Sequence, residues 1–269
     1  LATGAVAQQP KDLPGSADCV ACHEPGRRTG KRVAGAPPPF DAAALRASPH
    51  AALECNNCHS DLAGKDLPHP EKLAAVECGA CHSDQQTQYT ASLHGKAAQA
   101  GDRLAPSCKQ CHGAHNVLRS SNPRAPTSTM EVPRLCGRCH REGSPVSLTH
   151  DIPQQNILSN YTDSIHGVGL FQKGLTVTAV CTSCHTSHFV LPHTDPRSSI
   201  SKQNIAKTCT RCHALIEDVH RKVIRGELWE KQPHAIPACV DCHEPHKVRR
   251  VFYTQGMADR DCQRCHANP

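Results

Sequence analysis

The sequence predicts a mostly α-helical and irregular-coil protein with little or no β-sheet, wrapped around a continuous stack of bound groups. Its 269 residues are only 38% hydrophobic and 3% aromatic, with a mean hydropathy of −0.51. A chain of this length ordinarily buries a sizeable core, and so polar a composition leans toward disorder unless apolar mass comes from elsewhere. Runs of β-branched and aromatic residues are also scarce, which disfavours long strands.

Helices are expected in four segments, and the last of them carries apolar residues at helical spacing. Three successive prolines, Pro37–Pro39, favour an extended linker, and a second Gly- and Pro-containing stretch follows later. These soft breaks, near 36–40 and within 141–160, are not domain boundaries, so residues 1–269 are predicted to form a single domain. The expected helices are 41–48, 85–100, 160–173 and 214–230.

An internal repeat relates residues 89–140 to residues 161–213. Each copy begins with Tyr-x-x-Ser-x-His-Gly, continues through Cys-x-x-Cys-His-x-x-His and a Pro-Arg pair, and ends with a second Cys-x-x-Cys-His unit. A fainter third copy runs from about His220 to His266.

Every cysteine of the chain belongs to a Cys-x-x-Cys-His unit, and none is left over. Two thiols at this spacing can each add to one vinyl group of a single haem, and the histidine that follows then lies beneath the iron. The nine units therefore predict nine covalently attached haems of the c type, with iron held by nine proximal histidines. The predicted attachment cysteines are Cys19, Cys22, Cys55, Cys58, Cys78, Cys81, Cys108, Cys111, Cys136, Cys139, Cys181, Cys184, Cys209, Cys212, Cys239, Cys242, Cys262 and Cys265. The predicted proximal ligands are His23, His59, His82, His112, His140, His185, His213, His243 and His266.

Two other uses of paired cysteines do not explain the pattern. A disulfide framework has no need of a histidine after each pair. Zinc ribbons combine two Cys-x-x-Cys knuckles, and nothing in them requires the trailing histidine.

Eleven histidines lie outside the units, and nine would give every iron a second axial imidazole. His94 and His166 occupy the same position of the repeat, as do His115 and His188, and His246 shares the Cys-His-x-x-His spacing of the latter pair. A ring three residues past a proximal histidine cannot reach the opposite face of the same iron, but it can reach a neighbouring haem. The candidate distal ligands are His50, His69, His94, His115, His166, His188, His220, His234 and His246, with His193 and His150 as spares.

Several other side chains have two open interpretations. Met130 and Met257 are alternative axial ligands, although methionine more often fills gaps in a core. Tyr89 and Tyr161 begin the two repeat copies and serve either porphyrin contact or helix packing. Arginines near residue 249 either pair with haem propionates or form a solvated face.

The formal charge of the bare chain, +6, does not describe the protein with its cofactors. Nine haems bring eighteen propionates, which would make the net charge about −3 when oxidised and about −12 when reduced. The basic residues largely offset the acidity of the cofactor, so nucleic-acid binding is rejected.

The pattern Tyr-x-x-Ser-x-His-Gly, Cys-x-x-Cys-His-x-x-His, Cys-x-x-Cys-His resembles multihaem c-type cytochromes of anaerobic respiratory and metal-reducing bacteria. The resemblance extends over nearly the whole chain from Ser48 onward. It implies mostly bis-histidine, low-spin, low-potential haems packed in alternating stacked and T-shaped pairs. It also implies a periplasmic, extracellular or cell-surface location, because c-type haem is attached outside the cytoplasmic membrane.

The expected function is electron transfer without catalysis, between a membrane quinol-linked donor and a terminal reductase, another cytochrome or an extracellular acceptor. One alternative is a reductase of nitrogen or sulfur oxyanions with one open haem, but the Cys-x-x-Cys-Lys unit of the nitrite-reductase type is missing. Another alternative is a subunit of a homo-oligomer or an extracellular cytochrome filament. The sequence has no run of 18 apolar residues, so membrane association is expected only through partners or segments outside this chain.

Overall fold

The computed structural model describes residues 16–23, 40–62, 65, 69, 73–214 and 239–249. Within these residues, short helices alternate with turns, and no strand is present. Short 3₁₀ helices lie at Ser60–Leu62 and Cys78–Ala80. The α-helices are α1 (Ser16–His23), α2 (Ala42–Arg46), α3 (Cys55–Cys58), α4 (Ser83–Ala91), α5 (Leu93–Gln99), α6 (Cys108–His112), α7 (Val132–His140), α8 (Pro145–Thr149), α9 (Ile157–Asp163), α10 (Ile165–Phe171), α11 (Cys181–His185), α12 (Ile205–Thr210) and α13 (Cys239–Cys242).

Most of the Cys-x-x-Cys-His units themselves form the short helices. They make up α3, α6, α11 and α13 and close the longer helices α1 and α7. Residues three positions apart lie on the same face of a helix. The helical turn therefore presents both thiols of a unit on one side, with its histidine next in the chain.

Two of the predicted helices are each divided in the structure. The segment predicted at 85–100 forms α4 and α5, and the segment predicted at 160–173 forms α9 and α10, so the expectation of continuous helices is wrong there. The helix predicted at 41–48 is present as the shorter α2. The helix predicted at 214–230 lies, apart from its first residue, outside the described residues.

A buried serine causes each division. Ser92 adopts an extended backbone between α4 and α5, donates to the Tyr89 carbonyl at 2.7 Å, and accepts from the Gly95 amide at 3.1 Å. Ser164 makes the same bonds at the same distances with the carbonyl of Tyr161 and the amide of Gly167. Serine is a favoured helix N-cap because its hydroxyl satisfies an amide that has no partner within the helix. Each serine thus ends one helix and starts the helix that carries the next histidine.

Gly95 follows His94 on α5, and Gly167 follows His166 on α10. Each glycine allows its helix to meet the preceding helix closely. A Cβ atom at Gly95 would lie 1.9 Å from the Tyr89 carbonyl oxygen, and one at Gly167 would lie 2.0 Å from that of Tyr161. Any side chain there would overlap the preceding helix. The Tyr-x-x-Ser-x-His-Gly pattern is therefore a structural device that fixes the helix bearing the histidine.

Both repeat tyrosines donate hydrogen bonds to backbone carbonyls. The Tyr89 hydroxyl donates to the Pro106 oxygen at 2.7 Å, and the Tyr161 hydroxyl donates to the Ala179 oxygen at 3.0 Å. Each carbonyl lies just before a Cys-x-x-Cys-His unit of the same copy. Of the two interpretations of these tyrosines, the geometry favours packing, since the bonds tie the helix pair to the following unit.

We expect the substitution Ser164→Ala to destabilise the protein by about 1–2 kcal/mol, because the cap of α10 is lost inside the fold. Ser164 is 1% exposed, so water cannot replace its hydroxyl. Chemical denaturation followed by far-ultraviolet circular dichroism measures the change. Ser159→Ala is the matched control: Ser159 is exposed, and its loss should cost less than about 0.5 kcal/mol. Equal losses for the two variants would contradict the capping role.

The apolar core of the described residues is small, as the composition predicts. Its main cluster consists of Val132, Leu170 and Val180, with Met130 and Phe171 packed against it. Met130 therefore fills a gap in this cluster. So small a core supplies little hydrophobic stabilisation for a chain of this length.

Backbone hydrogen bonds join successive copies of the repeat. The Leu93 amide at the start of α5 donates to the Val190 carbonyl at 2.9 Å, and the Ile165 amide at the start of α10 donates to the Val248 carbonyl at 2.8 Å. Each acceptor lies two residues after a histidine of the Cys-His-x-x-His type. These bonds hold the start of the histidine-bearing helix of one copy against the segment that follows the Cys-His-x-x-His histidine of the next copy.

None of the helices in the described ranges is long and apolar enough to cross a lipid bilayer.

Candidate haem-iron sites

Seven motif histidines each face one histidine from outside the motifs. Ring centroids within these pairs are 5.8 to 6.2 Å apart. Every pair joins one predicted proximal ligand to one predicted distal ligand. The pairs are His23–His69, His82–His50, His59–His115, His140–His94, His112–His188, His213–His166 and His185–His246.

The spacing of the rings fits one metal ion between two imidazoles. A metal binds an imidazole nitrogen at about 2.0–2.1 Å, and a ring nitrogen lies about 1.1 Å from the ring centre, so opposite ligands place their centroids about 6 Å apart. Ordinary aromatic pairs cover 4.5–7 Å as well. The composition of the pairs decides between these interpretations, because aromatic packing alone would also pair motif histidines with one another. The donor set therefore fits haem iron with two axial histidines.

The pairs follow the repeat in two ways. The second motif histidine of each copy faces the Ser-x-His histidine of its own copy, as in His140–His94 and His213–His166. The first motif histidine of each copy faces a histidine from the next copy, as in His112–His188. Each copy is thus incomplete until its successor folds against it.

Ring orientation differs between these two kinds of pair. The planes of His112 and His188 are 19° apart, and those of His185 and His246 are 5° apart. In contrast, the planes of the two pairs within one copy, His140–His94 and His213–His166, are inclined by 47° and 42°. The two kinds of pair in the repeat are therefore structurally inequivalent.

Burial favours the neutral form of three of the paired rings, those of His94, His166 and His185. Burial, and then the charge of the facing His246 ring, lowers the pKa of His185 to about 4. Burial and the facing proximal ring also lower the pKa of His94 and of His166. A neutral imidazole keeps the nitrogen lone pair that a metal needs, so these sites are ready for ligation at neutral pH.

One distal ring also has an ordered hydrogen-bond partner on its other side. The Nδ1 atom of His246 lies 2.6 Å from the Oε1 atom of Gln154. An amide oxygen only accepts, so Nδ1 carries the proton and Nε2 keeps its lone pair. Such partners fix the tautomer and the orientation of a ligand ring.

Three residues that are predicted ligands or directly follow one have a positive φ. His246 itself has φ +63°, and Thr186, directly after the proximal His185, has φ +64°. The equivalent of Thr186 in the preceding copy is Gly113, with φ +81°, which adopts this conformation without strain. A β-branched residue there is strained, and the Thr186 hydroxyl is buried without a hydrogen-bond partner.

The two spare histidines lie in different surroundings. Both ring nitrogens of His150 are engaged, Nε2 with Asp102 Oδ2 at 2.8 Å and Nδ1 with Thr149 Oγ1 at 2.9 Å. His193 is exposed. Within the described ranges, neither ring faces a motif histidine.

Of the arginines near residue 249, Arg249 is described, and its guanidinium lies 3.8 Å from the Asp163 carboxylate.

Some predicted residues lie outside the described part of the chain. The predicted ligands and attachment residues outside the described residues are His220, His234, Cys262, Cys265 and His266, and the side chain of Cys242 is not described either.

Sequence reasoning missed the residues that support the ligands. The shared Ser-x-His-Gly of the two copies was a visible signal for the cap and the close helix contact. Gln154 had no such signal, because 92 residues separate it from His246.

The motifs and the facing imidazoles define a multihaem c-type cytochrome. The chain belongs to the family described as outer membrane cytochrome MtrC/MtrF-like, domains II/IV, whose model matches residues 50–223. Cytochromes of this family carry electrons in extracellular electron transfer, which confirms the predicted class and its role as an electron carrier. No curated protein and no solved structure matches the chain significantly.

Proposed function

We propose that this chain relays electrons along closely packed bis-histidine haems, between a membrane quinol-linked donor and a terminal reductase or extracellular acceptor. The observation that supports this proposal is the set of seven facing histidine pairs. Two imidazoles per iron leave no position for a substrate. Such sites therefore suit transfer better than reduction of an oxyanion.

A bound haem supplies reversible one-electron chemistry at its iron. The chain supplies everything else. Its thiols would hold each porphyrin covalently, and its paired histidines would supply the nitrogen ligands of the iron. Ser92 and Ser164 hold the helices that carry His94 and His166, so the distal rings remain in place through oxidation and reduction. Because the ligands stay in place when the iron changes oxidation state, the reorganisation energy of electron transfer is small.

The proposal includes nine haems, and two motif histidines remain after the seven pairs are assigned. These are His243 and His266, and the remaining distal candidates are His220 and His234. His220 precedes His266 by 46 positions, the interval that separates His94 from His140, and His234 precedes it by 32, the interval that separates His50 from His82. We therefore propose His220 and His234 as the distal ligands of these two sites.

The cell surface is the proposed place of action. The family is one of outer membrane cytochromes, which supports an exported protein in contact with other cytochromes. The holoprotein would be acidic in both redox states, so its partners would dock through basic surfaces.

Carbon monoxide binding and acceptor specificity together test the proposal. The fully reduced protein should show no rapid spectral change on addition of carbon monoxide, and ferric chelates should reoxidise it rapidly. Nitrite and tetrathionate should leave it reduced over the same period. Prompt carbon monoxide binding together with turnover of either oxyanion would replace the relay by a reductase.

A further inference from the structure

The repeat builds two candidate haem-iron sites in the same way across the boundary between copies. His112 faces His188 of the next copy, and His185 faces His246. The ring centroids are 5.9 Å apart in both pairs, and the planes are 19° and 5° apart. The two pairs therefore form a matched comparison, in which a difference between the sites comes from the residues around the rings.

A glutamine distinguishes the surroundings of the distal ring in the second of these pairs. The Oε1 atom of Gln154 lies 2.6 Å from the Nδ1 atom of His246, although 92 residues separate the two in the chain. The carbonyl of the neighbouring Gln155 accepts from the Nδ2 atom of Asn160 at 3.1 Å. Because Asn160 belongs to α9, the segment that carries the acceptor is tied to a helix.

The preceding copy has no counterpart of this glutamine. Gln154 precedes the proximal His185 by 31 positions, and the residue 31 positions before His112 is Cys81, which belongs to a haem-attachment unit. The repeat therefore does not supply the same acceptor to His188. The hydrogen bond to His246 is an addition to the repeat and not a requirement of its fold.

We propose that Gln154 is a positioning residue that lowers the reduction potential of the haem held by His185 and His246. Its amide oxygen accepts from the Nδ1–H group of His246, and an acceptor there raises the basicity of the other ring nitrogen. A more basic ligand stabilises ferric iron relative to ferrous iron. Hydrogen bonding around the axial ligands is one of the levers by which a protein sets the potential of a haem. This inference rests on the proposed function for the presence of a bis-histidine haem at this pair.

Redox titration of the intact holoprotein, followed by visible absorption, tests the proposal with two substitutions of opposite effect. Gln154→Leu removes the acceptor at a similar side-chain size, so the potential of one haem should rise. Loss of such a partner is typically worth about tenfold in an equilibrium constant, which for one electron corresponds to about 59 mV. Gln154→Glu supplies a stronger acceptor, so the potential of the same haem should fall. Each change should involve one-ninth of the total absorbance change.

Two controls separate an effect through the ring from a general loss of structure. Gln155→Leu alters the exposed neighbour and should leave every midpoint potential unchanged. In a His246→Gly background the ring is absent, so adding Gln154→Leu should shift no potential further.

Unchanged potentials in both Gln154 variants would overturn the proposal. So would shifts of the same sign in the two variants, an equal shift in Gln155→Leu, or a Gln154→Leu shift that persists without the His246 ring. These outcomes leave the electron relay itself untouched. Prompt carbon monoxide binding by the unsubstituted protein together with oxyanion turnover would instead overturn the proposed function.

Discussion

Replacing His166 with glycine is expected to convert one haem to a five-coordinate, high-spin site that binds carbon monoxide within seconds of reduction. The ring of His166 faces the proximal His213 at a centroid distance of 6.1 Å, and its helix is fixed by the Ser164 cap. Glycine removes the imidazole and leaves the other ligand in place. The change is measured as a high-spin absorption band in the oxidised protein and a carbon monoxide difference spectrum in the reduced protein.

The control for this variant is His193→Gly, which removes an exposed imidazole. It should bind no carbon monoxide and keep the spectrum of the unsubstituted protein. The amplitude for His166→Gly should correspond to one haem out of nine. An unchanged spectrum for His166→Gly would mean that its iron takes its second ligand from elsewhere.

Substitution of Gly167 by alanine is expected to destabilise the protein by about 3 kcal/mol or more. The added Cβ would lie 2.0 Å from the Tyr161 carbonyl oxygen. That oxygen belongs to the backbone of α9, so no side-chain rotation relieves the overlap. The helix pair must open, which also displaces the neighbouring His166 from His213. Guanidinium denaturation followed by circular dichroism measures the loss of stability.

Gly143→Ala separates overlap from backbone strain. Gly143 has φ +72° and open space around it, so alanine there meets strain alone and should cost about 1 kcal/mol. Gly167 has a helical backbone that alanine adopts without strain, so the loss at position 167 reports the overlap alone and should exceed the loss for Gly143→Ala. If both lost the same stability, the close contact between α9 and α10 would not constrain position 167.

The attachment residues could be predicted from the sequence because they are local. Two cysteines and a histidine within five positions define their own chemistry, whatever the rest of the chain does. The candidate distal histidines could also be named, since an iron requires a second ligand and few other roles need so many histidines. Their partners could not be named. The pair His112–His188 joins two copies of the repeat, and only tertiary packing decides which rings meet.

The helix boundaries show a second limit of what could be predicted from the sequence. One helix was expected over residues 85–100, yet Ser92 divides it. That expectation did not take account of a serine whose hydroxyl competes with the helical backbone, although such competition is ordinary for this residue. The identical Ser-x-His-Gly in the second copy was the signal that a break recurs.

The intact mass of the native protein tests the central claim most directly. Covalent attachment predicts the mass of the polypeptide plus nine haems, with no thiol available to an alkylating reagent. A mass that corresponds to the bare chain, with alkylated thiols, disulfides or bound zinc at the Cys-x-x-Cys-His units, would contradict it.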